Sequence, residues 1–275
     1  MTHTPHIAFI GAGNMAQAIL KGMLAAGYPQ DKICASGRTQ AKLDLLAAET
    51  GILTSTDNLA LCSLADVIVL GVKPQMMGPL VQSIAPAVDA SKHLIVSVAA
   101  GILANSIETW LGQKAPIVRC MPNTPSLVGQ GAAGLFATPV VSSVQKQTAT
   151  TIMQSVGLAL WVETEDHIDA VTAVSGSGPA YYFLMMEAMI ASAENLGLSN
   201  EVAQKLVLQT ALGAAQMATQ SHQTPDQLRV AVTSPNGTTE QAINTFKAGG
   251  FIKLCSQAMA AAHLRSKELA QLFKD

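Results

Sequence analysis

A glycine-rich turn lies between an apolar segment and an amphipathic segment at the start of the sequence. Residues 6–10 predict a strand, and residues 14–26 predict a helix that ends at Gly27. The turn between them, Gly11-Ala-Gly-Asn-Met-Ala16, has the G-x-G-x-x-A spacing of dinucleotide-binding folds. In that spacing the first glycine permits a tight turn, the second lets the backbone approach a pyrophosphate, and the small last residue keeps helix and strand close. The alternative is a glycine turn in an α/β domain that binds no nucleotide.

Short apolar runs alternate with amphipathic segments as far as residue 165. Further strands are predicted at residues 32–35, 67–72, 93–98, 117–120 and 159–162, and further helices at 40–50, 76–88 and 140–156. This alternation is typical of an α/β fold with a doubly wound parallel sheet. After residue 165 the strand pattern stops, and helices are predicted at 179–196, after Ser199, after Thr224, from Thr238 and after Gly250. We therefore predict a Rossmann-type domain over residues 1–165 and an all-helical domain over residues 166–275.

The composition favours a large buried core and a surface with few charges. Hydrophobic residues make up 49% of the 275 residues and charged residues 12%, which argues against disorder and for oligomerisation. The 16 basic and 18 acidic side chains nearly balance, so a nucleic-acid partner is not expected. There is no apolar run of about 18 residues and no signal-peptide pattern, so we expect a cytoplasmic protein and no membrane partner.

The cysteines predict neither a metal site nor a disulfide framework. Cys34, Cys62, Cys120 and Cys255 are widely spaced and form no C-x-x-C pair. We expect reduced, mostly buried thiols and no bound metal.

The end of the second predicted strand distinguishes between the two nicotinamide cofactors. A site for NAD usually has an Asp or Glu there, which holds the ribose 2′-hydroxyl. Here the strand runs into Ser36-Gly-Arg38 without an acid, and Lys42 follows. A guanidinium suits a 2′-phosphate, so we predict NADPH in preference to NADH, with NADH still possible. The alternative is that Arg38 is a solvated loop residue.

Further cofactor contacts are expected at the carboxyl ends of the next strands, where open α/β sheets bind ligands. Val72-Lys-Pro74 ends one strand, and the small residues Ala99 and Ala100 follow the next. Lys73 is expected to contact the cofactor ribose, with a solvated surface lysine as the alternative. The full set assigned to the cofactor is Gly11, Ala12, Gly13, Asn14, Met15, Ser36, Arg38, Asn58, Val72, Lys73, Pro74, Ala99 and Ala100.

A second turn opens a helix in the all-helical part. In Thr233-Ser-Pro-Asn-Gly-Thr-Thr239 the Pro and Gly shape the turn, and the helix begins near Thr238. The first N–H groups of a helix lack partners and its dipole favours an anion, so a small carboxylate can bind there without an arginine. The alternative is an ordinary capped helix. Ser175-Gly-Ser-Gly-Pro-Ala-Tyr181 is another Gly/Ser turn before a long helix, with either a capping role or close packing at the domain junction.

These motifs together resemble the pyrroline-5-carboxylate reductase family, and they span nearly the whole chain in the family's order. Position 236 departs from the family, which usually has Gly where this chain has Asn, a residue that tolerates positive φ. The motifs that carry the resemblance are Gly11-Ala-Gly-Asn-Met15, Val72-Lys-Pro74, Met121-Pro-Asn-Thr-Pro125, Ser175-Gly-Ser-Gly-Pro-Ala-Tyr181 and Thr233-Ser-Pro-Asn-Gly-Thr-Thr239.

The resemblance implies reduction of the C=N bond of 1-pyrroline-5-carboxylate to L-proline, the last step of proline biosynthesis. It further implies that the loop 233–239 holds the substrate carboxylate, and that the C-terminal helices form a homodimer, often assembled further. We assign the substrate to Ser177, Gly237, Thr238 and Thr239, and expect the Thr239 hydroxyl to bond the ring nitrogen. No histidine is assigned to catalysis. His167 and the nearby Glu165 and Asp166 are interpreted as solvated loop residues.

Two other functions stay open at this point. One is another NADPH-dependent reductase on the same scaffold, such as an imine reductase or a β-hydroxyacid dehydrogenase. Hydroxyacid dehydrogenases typically have a catalytic Lys on the helix after the domain junction, and residues 179–196 contain none. The other is an NADP-binding sensor with a helical dimerisation module, which has no use for a second anion-binding turn.

Overall fold

The computed structural model describes residues 4–273, which form two compact units. The first unit comprises the residues up to 177 together with those from 261 onward, and the second comprises residues 178–260. The first unit contains residues from both sides of the predicted boundary at 165, and that boundary stays a prediction.

The first unit is built on one eight-stranded sheet, with the order β3-β2-β1-β4-β5-β6-β7-β8. Every neighbouring pair is parallel except β6 with β7, which are antiparallel. The first six strands have the order of nucleotide-binding α/β folds, in which the direction of winding switches between β1 and β4. The strands are β1 (Ile7–Ile10), β2 (Ile33–Ser36), β3 (Leu53–Ser55), β4 (Val67–Leu70), β5 (Leu94–Ser97), β6 (Ile117–Met121), β7 (Gly131–Ala137) and β8 (Gly157–Trp161).

Helices cover both faces of the sheet, as the apolar strands require. Residues Ile7 and Phe9 of β1 belong to one buried cluster, and the alternate residues Ala8 and Ile10 belong to a second cluster on the opposite face. The predicted Rossmann-type fold is confirmed. The helices that begin in this unit are α1 (Asn14–Ala25), α2 (Gln40–Thr50), α3 (Asn58–Leu64), α4 (Met77–Ile84), α5 (Ala104–Leu111), α6 (Ser143–Gln154) and α7 (His167–Val171).

The second unit is helical throughout, as predicted. The helix Asn200–Gln220 is capped by the Ser199 side chain. The helix Pro225–Ala231 begins with a capping box, in which Oε1 of Gln227 accepts the N–H of the N-cap residue Thr224 at 2.9 Å. None of the helices in the described part of the chain is long and apolar enough to cross a membrane. The helices are α8 (Gly178–Asn195), α9 (Asn200–Gln220), α10 (Pro225–Ala231), α11 (Thr238–Ala248) and α12 (Phe251–Leu272), and the last turns of α12 belong to the first unit.

Five elements were missed by the sequence analysis, namely β3, α3, α5, β7 and α7. The sequence of β7 is GAAGLFA, whose small residues lack the β-branched side chains that identify a strand. Glycine is needed there because a Cβ on Gly134 would lie 2.5 Å from Cγ2 of Val171. The predicted parallel sheet is correct except that β7 runs antiparallel to β6.

The cysteines are free thiols, as expected, and three of the four are buried. Burial raises the pKa of Cys34 to about 11. Burial, and to a lesser degree Cys34, raises the pKa of Cys62 to about 12. Burial also raises the pKa of Cys120 well above its usual range. These three side chains are therefore protonated at neutral pH and unreactive.

We predict that a disulfide-exchange reagent at pH 8 labels no more than one thiol per folded chain, Cys255, which is exposed. Unfolding in urea should make all four thiols react, because it removes the burial that raises their pKa values. The measurement is the rate of thiolate release with and without urea. A second rapidly reacting thiol in the folded protein would contradict the placement of the cysteines in the core.

Candidate functional site

A cleft of about 560 Å³ lies where the winding of the sheet switches, at the carboxyl ends of β1, β2 and β4. Ligands of open α/β sheets bind at this position. The residues that line the cleft come from the loops after these strands and from the neighbouring helices; they are Gly11, Ala12, Gly13, Gln17, Ser36, Gly37, Arg38, Thr39, Lys42, Leu43, Thr56, Asn58, Gly71, Val72, Lys73, Met76 and Leu80. The structure thus brings together eight of the thirteen residues assigned to the cofactor.

The loops after β1 and β4 meet backbone to backbone at one side of the cleft. Gly11 has a φ of +95°, and a Cβ there would lie 2.5 Å from Cγ1 of Val72. A Cβ on Gly71 would lie 2.6 Å from the carbonyl oxygen of Gly11 and 2.9 Å from Cβ of Ala16. The glycine at 11 and the small residue at 16 therefore allow the close packing that the motif predicts, and Gly71, which the sequence analysis did not single out, is needed for the same contact.

The first backbone N–H groups of α1 are free to bind an anion. Its N-cap residue Gly13 has no side chain to bond the first N–H groups, and the turn contains no acidic residue. Ser36, at the end of β2, fixes the glycine loop 11–13 through two hydrogen bonds. Its carbonyl accepts the N–H of Ala12 at 2.7 Å, and its hydroxyl accepts the N–H of Gly11 at 3.2 Å. Uncapped N–H groups and the helix dipole together favour a phosphate at this position.

The cleft is positively charged. Arg38, Lys42 and Lys73 line it, all three are exposed, and no Asp or Glu is among the lining residues. None of the three makes an ion pair within residues 4–273. Three unpaired cations around an open helix N-terminus favour a ligand with several phosphate charges.

Five assigned residues do not line this cleft. Asn14 and Met15 continue α1, and Met15 packs against the core. Pro74 begins a short 3₁₀ turn after Lys73. Ala99 and Ala100 lie in the loop after β5, the strand next to β4, and Ala99 is buried. Their assignment to the cofactor stays a prediction.

The Gly/Ser segment before α8 is a turn of π-helix, Thr172–Gly176, that continues from α7. The N–H of Ser177 donates to the carbonyl of Thr172 at 2.8 Å, a bond across five residues. A Cβ on Gly176 would lie 2.6 Å from Cε of Met121, so this glycine allows close packing on the end of β6. Such π turns are frequent at functional sites.

Asn123 of the Met121-Pro-Asn-Thr-Pro125 motif connects this π turn to the sheet. Its Nδ2 donates to the carbonyl of Ser175 at 3.0 Å, and its Oδ1 accepts the N–H of Ala132 at 2.9 Å. The side chain is buried. The motif, which the sequence analysis used only as part of the family resemblance, therefore fixes the segment that contains Ser177.

In the second unit, the turn before α11 leaves its first N–H groups free. Asn236 has a φ of 59° and is the one non-glycine residue with positive φ among residues 4–273, as its choice in place of Gly suggests. Glu240 reaches back, and its Oε2 accepts the N–H of Asn236 at 2.8 Å. The N–H groups and hydroxyls of Thr238 and Thr239 have no acceptor or donor partner among the described residues. These groups are available to an anion.

Comparisons with known proteins agree along the whole chain. The family "Pyrroline-5-carboxylate reductase dimerisation" matches residues 165–269, and the family "NADP oxidoreductase coenzyme F420-dependent" matches residues 6–101. Pyrroline-5-carboxylate reductase of Pseudomonas aeruginosa is 54% identical over 98% of both chains.

Two solved structures are also similar over nearly their full length. A pyrroline-5-carboxylate reductase from Coxiella burnetii has a TM-score of 0.94 and 47% identity, covering 98% of this chain and 99% of that one. The Plasmodium falciparum pyrroline carboxylate reductase with NADP bound has a TM-score of 0.84 and 30% identity, covering 97% and 98%.

We predict that Gly11→Ala weakens dinucleotide binding at least tenfold, because the new methyl group meets Val72 at 2.5 Å and the φ of +95° is unfavourable for alanine. Gly27→Ala is the matched control, since Gly27 also has positive φ but nothing within 4 Å of its Cβ position. The dissociation constant is measured by fluorescence titration. Equal affinity of the two variants would contradict the close approach of the loops.

Proposed function

The chain belongs to the pyrroline-5-carboxylate reductase family, and from this premise we propose that it reduces the C=N bond of 1-pyrroline-5-carboxylate to L-proline with NADPH. The observation that carries the proposal is the 54% identity to a relative of that name over 98% of both chains. The acid-free, cationic cleft at the switch point of the sheet supports it. The reaction is the last step of proline biosynthesis.

The residues of the cleft fit NADPH. The N–H groups at the start of α1 and the glycine loop 11–13 would hold the pyrophosphate. Arg38 and Lys42, at the end of β2, would hold the 2′-phosphate, where an NAD site has an acid. Lys73 and Asn58 would hold the ribose groups. This arrangement favours NADPH and leaves NADH as a weaker alternative.

The substrate carboxylate is proposed to bind the turn before α11. Gly237 is the N-cap residue of α11, and the backbone N–H groups of Thr238 and Thr239 in the first turn have no acceptor among the described residues. Glu240, one residue further on, is engaged by the N–H of Asn236. Ser177, held by the π turn, is proposed to contact the substrate as well.

The chemistry requires orientation more than acid–base catalysis. When bound, NADPH supplies the hydride for the C=N carbon. An iminium nitrogen is already protonated, so the protein needs no strong general acid. The Thr239 hydroxyl has no partner among the described residues. It would accept a hydrogen bond from the N–H of the substrate ring and so determine which face of the ring is presented to the cofactor. Holding two reactants in a productive geometry is worth several orders of magnitude in rate.

The C-terminal helices are proposed to form a homodimer that assembles further. The second unit exposes large apolar side chains along its helices, among them Phe183, Leu184, Leu208, Leu212 and Leu254. Large apolar side chains exposed in such number favour a protein interface that covers them. The family match over residues 165–269 carries dimerisation in its description, which supports the same conclusion.

We predict that Arg38→Ala raises the KM for NADPH at least tenfold and changes the KM for NADH less than twofold. The reason is that Arg38 would bind the 2′-phosphate, which NADH lacks. Steady-state kinetics with both cofactors measure the difference. Lys21→Ala is the control, because Lys21 is an exposed cation of the same unit that pairs with Glu49. Equal effects on both cofactors would refute the assignment of Arg38.

We predict that Thr239→Val lowers kcat about tenfold to a hundredfold, because a hydrogen bond to a charged group contributes roughly 1.5–3 kcal/mol. Thr238→Val is the matched control in the same turn; it removes a hydroxyl near the carboxylate and should mainly raise the KM for the substrate. Both constants come from initial rates at saturating NADPH. An unchanged kcat for Thr239→Val would rule out the contact with the ring nitrogen.

A further inference from the structure

The loop between β5 and α5 contains two residues proposed to face the cofactor but no polar side chain of its own. Its sequence is Val98-Ala-Ala-Gly-Ile-Leu103. Helix α5 then begins at Ala104, and its N-cap residue Leu103 has no side chain that caps it. Contacts from other segments must therefore determine where Ala99 and Ala100 lie.

Glu165 makes the first of these contacts. Its Oε1 accepts the N–H of Ala104 at 2.7 Å and the Nη1–H of Arg119 at 2.8 Å. The Arg119 side chain is 4% exposed and the Glu165 side chain 25% exposed, so the interpretation of Glu165 as a solvated loop residue is wrong. The carboxylate caps α5 at the end where the helix dipole favours a negative charge. Arg119 ties that carboxylate to β6.

The end of α12 makes the second contact, on the loop itself. Gly101 has a φ of +71°, and its Cβ position is 3.4 Å from Cβ of Leu269 and 3.5 Å from Cδ2 of Phe273. Ala270 is buried in the same turn of α12. The loop is therefore covered by the C-terminal residues of the chain.

A buried hydrogen bond joins these two contacts. The Ser266 hydroxyl donates to Oδ1 of Asp169 at 2.6 Å, and both side chains are buried. Asp169 lies in α7, one helical turn after Glu165. One short segment, residues 165–169, thus holds the start of α5 through one carboxylate and the end of α12 through another. Loop 98–103 lies against both of the elements so held.

We propose that Glu165 is a positioning residue for hydride transfer, which acts by bracing loop 98–103 together with the C-terminal turns of α12. This role rests on the proposed function and on the prediction that Ala99 and Ala100, small residues at the carboxyl end of β5, let the nicotinamide half of the cofactor lie close. The glycine loop and Arg38, which would hold the phosphates, line the cleft at the carboxyl ends of β1, β2 and β4. Loss of the brace is therefore expected to lower kcat and to leave the affinity for NADPH nearly unchanged.

The test compares four variants of the full-length protein by kinetics, NADPH titration and hydrogen exchange. Glu165→Ala removes the cap and the ion pair, Glu165→Gln keeps an acceptor oxygen, and Ser266→Ala releases only α12. Glu108→Gln is the matched control, since Glu108 is on α5 but its Oε2 pairs with Nζ of Lys114 at 2.5 Å, and Lys114 follows the other end of that helix.

For Glu165→Ala we expect kcat to fall about tenfold to a hundredfold, as a displacement of about 1 Å near reacting groups can produce. The dissociation constant of NADPH should change less than twofold, and exchange in residues 98–103 should speed up. Glu165→Gln should recover most of kcat, Ser266→Ala should show a smaller loss of the same kind, and Glu108→Gln should match wild type. If Glu165→Ala unfolds globally, Ser266→Ala decides.

Faster loop exchange with unchanged kcat, or unchanged loop exchange in Glu165→Ala and Ser266→Ala, would overturn the proposal. A parallel loss of NADPH affinity in a folded variant would also overturn it, because the brace would then support binding in general. The proposed function is judged separately, on whether the wild-type protein forms proline at all.

Discussion

The close approach of the backbones after β1 and β4 is the constraint on which the cofactor site depends. Gly11 and Gly71 let the two loops meet at a distance that no Cβ would tolerate, and Ala16 lets α1 pack on the same point. This contact directs the uncapped start of α1 into the cleft and leaves room for the chain of a dinucleotide. The identity of the bound cofactor is then a matter of charge, contributed by residues at the rim.

The protein uses helix ends for both of its proposed anion sites. Helix α1 begins at Gly13 and α11 at Gly237, and neither N-cap residue bonds the first turn through a side chain. Arginine and lysine are added only at the first site, where the proposed ligand has several phosphate charges. A single small carboxylate at the second site needs only N–H groups and two hydroxyls, which explains why the chain has no arginine in the turn 233–239.

The sequence predicted the features that are local and missed those that depend on distant residues. The first turn, the parallel α/β sheet that the alternation predicts, and the tolerance of Asn236 for positive φ could all be inferred from neighbouring residues. Strand β7 was missed because its glycines are required by distant residues: a Cβ on Gly134 would meet Val171, which is 37 positions away in the sequence. No local pattern identifies the bond from Glu165 to Ala104, since the two residues are 61 positions apart. The roles of the individual site residues remain predictions, as does the domain boundary at 165.

The most direct test of the account is to mix the purified protein with NADPH and 1-pyrroline-5-carboxylate and to measure both NADPH oxidation and proline formation. We predict one proline formed for each NADPH oxidised, with NADH less effective at the same concentration. NADPH binding without proline formation would contradict the account and would direct the search to other cyclic imines.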